Sequence, residues 1–600
     1  MFASLTRRTA AGETGTVPGS FFSEAAAGLR RRFRSSELWF TGLAVVVGVL
    51  AGAATVALEE TAQLAQTLLF QLAEGARVTM QPQLSLEQLA VLPFGGLLLL
   101  IFSRLVRARR RSLVDAVEAN ALHGGRMSFT DSLIVAGQTL ISNGCGASVG
   151  LEAAYAQMGS VFASLGGTQL GLRRGDVRTL VGAGAGASIA AAFGAPLAGS
   201  FYAFEIVIGA YMPSAIAPVA AAALAGTATA HMLGSTPYLI PVVAAGGTPS
   251  TDYPVYALLG LLLAFLAIGL MRSIATLEAF TRRLPLSAWT RPILGGLLMM
   301  PIAAISPQAL SSGHSALPVD IVLGGTLQSL ALIFVAKCFG SIVSLGFGFR
   351  GGLFFASLFI GTLAGHLFAG VLELVAGYAV VEPAEAALVG MAALAVAVIG
   401  GPITMAMLVM EATQRLGLAG AVITASLVAG TMVRTLFGYS FSTWRLHLRG
   451  ETIRSARDVG WVRLLTAGRM MRKQTGNTPA ALTVAEFRRR YPLGSTQRVV
   501  VTDAMERYAG IVLTATAYAE GTDPASEVAD LAILQGIVLT PEMNIVEVMK
   551  RFDEAEADEL AVVAADKTVL GLLSESFVRK RYAEEIEKAQ RELFGEGERS

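Results

Sequence analysis

Glu152 is an acid in a place where an acid is costly. It lies in Gly150-Leu-Glu152-Ala-Ala-Tyr-Ala-Gln-Met-Gly159, inside a long apolar region. An ionisable group within such a region is expensive to bury and marks a functional site. The stretch has an echo. Gly352-Leu-Phe354-Phe-Ala-Ser-Leu-Phe-Ile-Gly361 repeats the two glycines nine residues apart. A second pair follows, Pro196 to Glu205 and Pro402 to Glu411, with nine steps in both. Two halves that share short helices interrupted by Gly and Pro predict a transport protein with its site between the halves. Gly and Pro at those places start or break helices where backbone amides are wanted free.

The chemistry this suits is anion handling. An anion inside a bilayer needs compensation without a full charge that would trap it. Helix N-termini supply free amides and roughly half a positive charge each. Glycines let those backbones approach the ion closely. Leu151, Glu152, Leu353 and Phe354 follow glycines at two such expected N-termini, and with Gly150 they form the candidate anion-binding set. Gly146, Gly159, Gly351 and Gly352 are the candidate structural glycines around them. A carboxylate at Glu152 can take the place of the anion, and when protonated it can swing aside. The competing readings are glycines that serve only helix packing and a Glu152 that only caps its helix. Packing alone does not call for an acid at that place.

The elements that must position these residues are apolar spans. Of 600 residues, 53% are hydrophobic and only 15% are charged, against about 25% charged in soluble proteins. The apolar surplus runs from about Leu38 to Phe437, with runs near the roughly 20 residues that cross a bilayer. Spans are expected at about Leu38–Leu58, Leu86–Ile101, Val255–Met271, Pro292–Ala304, Ile321–Leu345, Leu353–Val375, Ala387–Ile399, Ile403–Met410 and Ala419–Leu436. Several are too short or too broken for an up-and-down bundle, which favours re-entrant and tilted helices buried in protein. The chain therefore divides into a polar tail over 1–36, a membrane domain over 37–450, and a basic amphipathic link plus soluble α/β domain over 451–600. Basic runs at Arg30–Arg34 and Arg104–Arg111 flank the first two spans and put both termini in the cytoplasm. A net charge of +2 makes nucleic acid an unsuitable partner. Cys145 and Cys338 have neither disulfide nor metal spacing, and the five histidines, including His314, read as structural or surface residues.

On these residues the stretch of about 40–450 resembles the CLC family of chloride channels and chloride/proton exchangers. Ser148-Val-Gly-Leu-Glu152 sits where that family carries Gly-Arg-Glu-Gly-Pro. Gly351-Gly-Leu-Phe354 matches its Gly-Gly-x-Phe-x-Pro segment, and Phe193-Gly-Ala-Pro196-Leu-Ala-Gly matches Asn-Ala-Pro-Leu-Ala-Gly. The resemblance implies an all-α polytopic membrane fold, an inverted repeat of tilted and re-entrant helices. It implies a homodimer in a prokaryotic plasma (inner) membrane, with one anion pathway per subunit gated by Glu152. Replacing Glu152 with Ala is then expected to leave the pathway open and insensitive to external pH.

Departures are informative. Leu151 stands where the family has Arg. Leu113 falls at the position of its inner serine, so a hydroxyl ligand is lost and selection among chloride, bromide and nitrate is expected to soften. Fluoride is disfavoured. The family's late tyrosine ligand maps near Tyr439-Ser-Phe-Ser-Thr-Trp444, with Tyr439, Ser442 and Trp444 all open and Trp444 taken as the anion-binding candidate. Ile206 falls where exchangers carry an internal proton-transfer Glu. That leans the expectation towards a passive chloride channel, with chloride/proton antiport as the alternative. Glu205 and Glu411 read as structural.

The order helix, strand, turn, strand occurs twice after residue 480 and resembles a tandem CBS-domain pair. Phe577 sits where such pairs carry a ribose-holding Asp. A structural, dimer-stabilising role is thus favoured over binding of an adenine nucleotide, the one cofactor class the pair suggests. A signalling or scaffold membrane protein built around the pair is a further alternative. No nucleophile, metal cluster or phosphate loop supports an enzyme.

Overall fold

The computed structural model describes residues 36–73, 75–106, 113–235, 249–285, 290–313, 325–448, 465–473 and 476–594. The N-terminal tail, the basic run beyond Val106, His314 and most of the link after Gly450 lie outside these residues. The chain divides into two units, Met1–Asp458 and Val459–Ser600.

The first unit is built twice from one plan. Its first half contains α1 (Glu37–Leu69), α2 (Leu86–Leu105), α3 (Ala116–Leu122), α4 (Phe129–Gly144), α5 (Glu152–Gln169), α6 (Arg174–Phe193), α7 (Pro196–Tyr202) and α8 (Pro213–Met232). A π-turn over Ala203–Ile208 continues α7. The second half contains α9 (Tyr253–Arg283), α10 (Arg291–Ile305), α11 (Leu327–Gly346), α12 (Phe354–Ala376), α13 (Pro383–Ile399), α14 (Pro402–Thr413) and α15 (Ala419–Leu436), and α16 (Phe441–Leu448) follows it. Seven of the described helical stretches are long and apolar enough to cross a membrane. Four more apolar helices, of 10–17 residues, are shorter than a bilayer needs. One of them is enclosed by protein: on α13 every residue from Glu385 to Val398 is buried.

Local chemistry explains the short helices. Proline occupies the first position of α7, α13 and α14, where its missing N–H costs nothing. Gly194, at φ +65°, closes α6 in a left-handed turn one residue before α7 begins. The crossings of α5 with α6 and of α12 with α13 use the same device in each half. A Cβ on Gly159 would fall on the Gly184 carbonyl, and one on Gly361 on the Gly390 carbonyl. Only glycine allows helix backbones that close.

Glu205 and Glu411 hold the two halves together reciprocally. Glu411 on α14 accepts from the amides of Leu197 and Ala198 at the start of α7, both at 2.8 Å. Glu205 in the π-turn accepts from the amides of Ile403 and Thr404 at the start of α14, at 3.2 and 2.9 Å, and from the Thr404 hydroxyl at 2.7 Å. Each acid thus satisfies the open amides of the other half's short helix, where its charge also suits the helix dipole.

The second unit is α/β and also repeats. α17 (Ala467–Met470) leads to β1 (Asn477–Pro479), α18 (Val484–Arg490), β2 (Arg498–Thr502), β3 (Tyr508–Leu513) and α19 (Thr514–Ala517). Then come α20 (Ile545–Ala555), β4 (Glu559–Val563), β5 (Val569–Ser574) and α21 (Glu575–Phe594). β2 pairs antiparallel with β3 and parallel with β1. β4 pairs antiparallel with β5, and Leu539 bridges Val562 in parallel. The caps match as well: Thr483 caps α18 and Asn544 caps α20 in a capping box with Glu547. Asp503 and Asp566 organise the two hairpin turns by accepting backbone amides, which hold both carboxyls below the usual aspartate range. This tandem helix–strand–strand unit is the CBS-type pair expected from the sequence.

Removing either reciprocal acid strands amides inside the membrane unit. Glu411→Ala and Glu205→Ala are each expected to lose about 1–2 kcal/mol of stability, seen as a lower thermal midpoint in detergent. Unchanged midpoints in both would show that these contacts do not support the fold.

Candidate anion site between two helix N-termini

Glu152 and Phe354 are the first residues of α5 and α12, at equivalent places in the repeat. The loops that precede them are joined directly. The Gly150 amide donates to the Gly352 carbonyl at 3.0 Å, and the Gly352 amide donates to the Gly150 carbonyl at 3.2 Å. This two-bond bridge brings both helix N-termini to one point in the interior.

Polar side chains from neighbouring helices fix the loops, again reciprocally. The Ser148 amide donates to Ser344 Oγ at the end of α11, at 2.9 Å. The Arg350 amide donates to Ser142 Oγ at the end of α4, at 3.0 Å. Asn143 donates to the Val149 carbonyl at 2.8 Å, and Gln66 on α1 donates to Asn143 and to Ser311. Buried loops are tolerated in a membrane protein only when their backbone groups are met in this way.

The Glu152 carboxyl lies in the gap so formed. Its Oε1 accepts from the Phe354 amide at 2.7 Å, so the acid of one half caps the helix of the other. Its Oε2 is buried and has no hydrogen-bond partner among the described residues. A Cβ on Gly150 or on Gly352 would fall on this carboxyl. The two glycines are therefore required for room as well as for the bridge.

A buried cation stands behind the site. Lys337 on α11 is fully enclosed and donates to the carbonyls of Ala309, Leu310 and Ser311 at 3.3, 3.4 and 2.7 Å. It acts on Glu152 through space without touching it. Three carbonyls spread its charge, and the Phe359 ring lies 5.8 Å away. Sequence reading passed over Lys337, although a lone lysine in the apolar run Leu327–Gly346 was the available signal.

Two cavities meet the site. A wide one of about 850 Å³ is lined by Glu152, Leu113, Tyr202, Ile206, Phe354 and Ser442, and by four arginines, Arg282, Arg283, Arg350 and Arg445. A narrow one of about 40 Å³ lies beside Leu151, Tyr155 and Phe355, with Glu59, Gln66 and Arg77 in its wall. Glu152 lines the first and not the second. A third cavity, of about 330 Å³, holds Glu205, Tyr211, Arg434 and Tyr439 and shares Ile206 and Ser442 with the wide one.

The expected residues lie as follows. Leu151 and Leu353 are the N-cap residues beside Glu152 and Phe354, and Leu113 and Ile206 face the wide cavity. Gly146 turns at φ +85°, and Gly351 packs on Val149. Gly150 is not an available anion donor, because its amide is taken by the Gly352 carbonyl. Trp444 does not line the cavity. It packs against the tilted rings of Phe437 and Tyr439 and stacks on His447, with ring centroids 4.7, 5.5 and 5.4 Å away. The chain reverses onto α16 there, so Ser442 faces the cavity instead.

Short helices of an inverted repeat, aimed at a central acid between two cavities, define a membrane anion-transport protein. The family model described as voltage gated chloride channel matches residues 94–434. The chain belongs to this CLC family, and is a transport protein rather than an enzyme. It is 26% identical over 411 residues to the voltage-gated ClC-type chloride channel ClcB of Escherichia coli (strain SMS-3-5 / SECEC), covering 68% of this chain and 97% of that one. The ClcB of Salmonella typhimurium (strain LT2) is 27% identical over 404 residues, covering 66% and 95%. Among solved structures, a slow cyanobacterial Cl-/H+ antiporter matches with TM-score 0.59 and 22% identity, covering 68% of this chain and 97% of that one. A eukaryotic CLC transporter matches with TM-score 0.58 and 17% identity, covering 92% and 98%.

A methyl group at Gly352 would displace the Glu152 carboxyl. Gly352→Ala is expected to cost about 1–3 kcal/mol and to alter anion flux in liposomes. Gly166→Ala, where a Cβ meets nothing within 4 Å, is expected to leave both unchanged. Equal behaviour of the two variants would show that the carboxyl does not depend on the glycine.

Proposed function

We propose that this protein exchanges chloride for protons, with Glu152 as both the gate and the proton carrier. The observation that carries this reading is the division of labour within one carboxyl group. Oε1 occupies the helix amide an anion would use, and buried Oε2 has no donor. A buried carboxyl oxygen without a donor is where a proton relieves the cost of the charge. Protonation weakens the hold on the Phe354 amide and frees that amide for an anion. Carboxylate and anion then compete for one place, and the proton decides between them, which is the physical core of exchange.

Ile206 favours the second reading, a passive chloride channel, because it cannot relay a proton. Antiport is preferred here because Glu152 itself lines the wide cavity, so a proton can reach it from water without passing position 206. The fold also accommodates exchange, since it is shared with proteins described as chloride/proton and fluoride/proton antiporters. The scaffold reading leaves the Glu152 site unexplained.

In this reading the protein is a homodimer in a bacterial inner membrane, with both termini and the wide cavity on the cytoplasmic side. Its four arginines, set against Asp115 and Glu278 in the same wall, leave that mouth with an excess of positive charge that would concentrate anions.

The test is chloride and proton flux recorded together from purified protein in liposomes. A chloride gradient is expected to drive protons uphill, with flux rising as pH falls because acid protonates Glu152. Glu152→Gln is expected to abolish proton movement, keep chloride flux and flatten its pH dependence. Chloride flux with no uphill proton movement in the wild type would establish the channel reading. Proton pumping that survived in Glu152→Gln would remove Glu152 from the mechanism.

A further inference from the structure

The wide cavity contains a side chain that the family resemblance does not account for. Tyr202 is the last residue of α7, just before the π-turn that carries Ile206. It lines the cavity together with Glu152, Leu113 and Phe354. Its ring lies 6.3 Å from that of Phe354, whose amide holds Glu152. Tyr202 is half-buried, and its hydroxyl has no hydrogen-bond partner among the described residues. A phenol in an apolar wall ordinarily finds a partner for its O–H. This one shares its cavity with Glu152 and with Phe354 at the start of α12.

The surroundings explain why a donor is wanted there. An anion on the Phe354 amide is met by backbone from the α12 side, but the opposing cavity wall is apolar at Leu113. A halide that has shed its water needs donors on that flank, or it forfeits hydration it cannot recover. Ser442, in the first turn of α16, is the other hydroxyl in the wall. Tyr202 sits on the segment that reaches Phe354.

We propose that the Tyr202 hydroxyl is an anion ligand: its O–H donates to the chloride that replaces the Glu152 carboxylate at the Phe354 amide. It supplies from α7 the hydroxyl that position 113 lacks. A single neutral donor on a flexible ring fits a weakly hydrated monovalent anion, chloride or bromide, better than fluoride. This rests on the anion site proposed at Glu152.

The experiment is chloride binding to purified full-length protein by calorimetry in a Glu152→Gln background, where the competing charge is gone. Adding Tyr202→Phe removes one oxygen and keeps the ring. Chloride affinity is expected to fall about tenfold, the effect of a charged hydrogen bond at the low end of its usual range. Thermal stability is expected to hold, and bromide should weaken in parallel. Adding Ser442→Ala instead removes the other hydroxyl of the wall and is expected to lower affinity less than Tyr202→Phe does. An unchanged affinity with Tyr202→Phe, or a loss found only with Ser442→Ala, overturns the assignment while leaving the Glu152 site intact. Absence of chloride binding in Glu152→Gln itself overturns both. Should Tyr202→Phe lower stability, Tyr202→Trp, which keeps an N–H donor, decides the question: affinity unrestored to within about threefold of the Glu152→Gln background counts against the ligand role.

Discussion

A helix that begins inside a bilayer leaves its first amides without partners, and hydrocarbon offers none. Each such amide costs several kcal/mol unless something accepts from it. This protein places four such beginnings in its interior, at α5, α7, α12 and α14, and the rest of the membrane unit follows from meeting them. Glu411 and Glu205 accept from α7 and α14, and Glu152 accepts from α12. The loops ahead of α5 and α12 bridge one another at Gly150 and Gly352. An acid is the suitable acceptor throughout, since a helix N-terminus carries partial positive charge.

The three acids nevertheless do different work. Glu205 and Glu411 use both oxygens on amides of the opposite half, so each is spent on structure. Glu152 uses one. Its second oxygen is buried without a donor, and its place is bounded by glycines rather than by side chains. A group that is half satisfied in a tight site can exchange its role with an anion at little cost. A fully satisfied one cannot. The same residue type therefore serves as a fastening in two positions and, in the proposed mechanism, as a gate in the third.

The cavities give that gate a direction. Four arginines and an apolar wall line the wide side, while the narrow side holds polar groups of both signs in a small volume. Lys337 lies behind the site with its amino group already occupied by three carbonyls. Being saturated, it offers an anion no tight ion pair, which would slow release. Transport needs binding strong enough to enter and weak enough to leave. Backbone amides, a distant cation and neutral hydroxyls are the means present here.

Much of this was legible in the chain. The paired glycines and the Pro-to-Glu spacings revealed the repeat, because helix starts inside a membrane require those residue types. Glu152 stood out because an acid in an apolar run has few other reasons to exist. The CBS-type pair was legible from its repeated order of elements. Other features depended on folding. That Gly150 spends its amide on Gly352 is decided by two loops some two hundred residues apart. That Ser442 rather than Trp444 faces the cavity is decided by the reversal of the chain onto α16, which no local pattern encodes. Lys337 and Tyr202 gain their meaning only from what folding sets beside them. Residue types and their spacing thus determined where helices begin and which group carries the charge. The tertiary structure decided which amide each acid meets, because hydrogen bonds are satisfied between elements that only folding brings together.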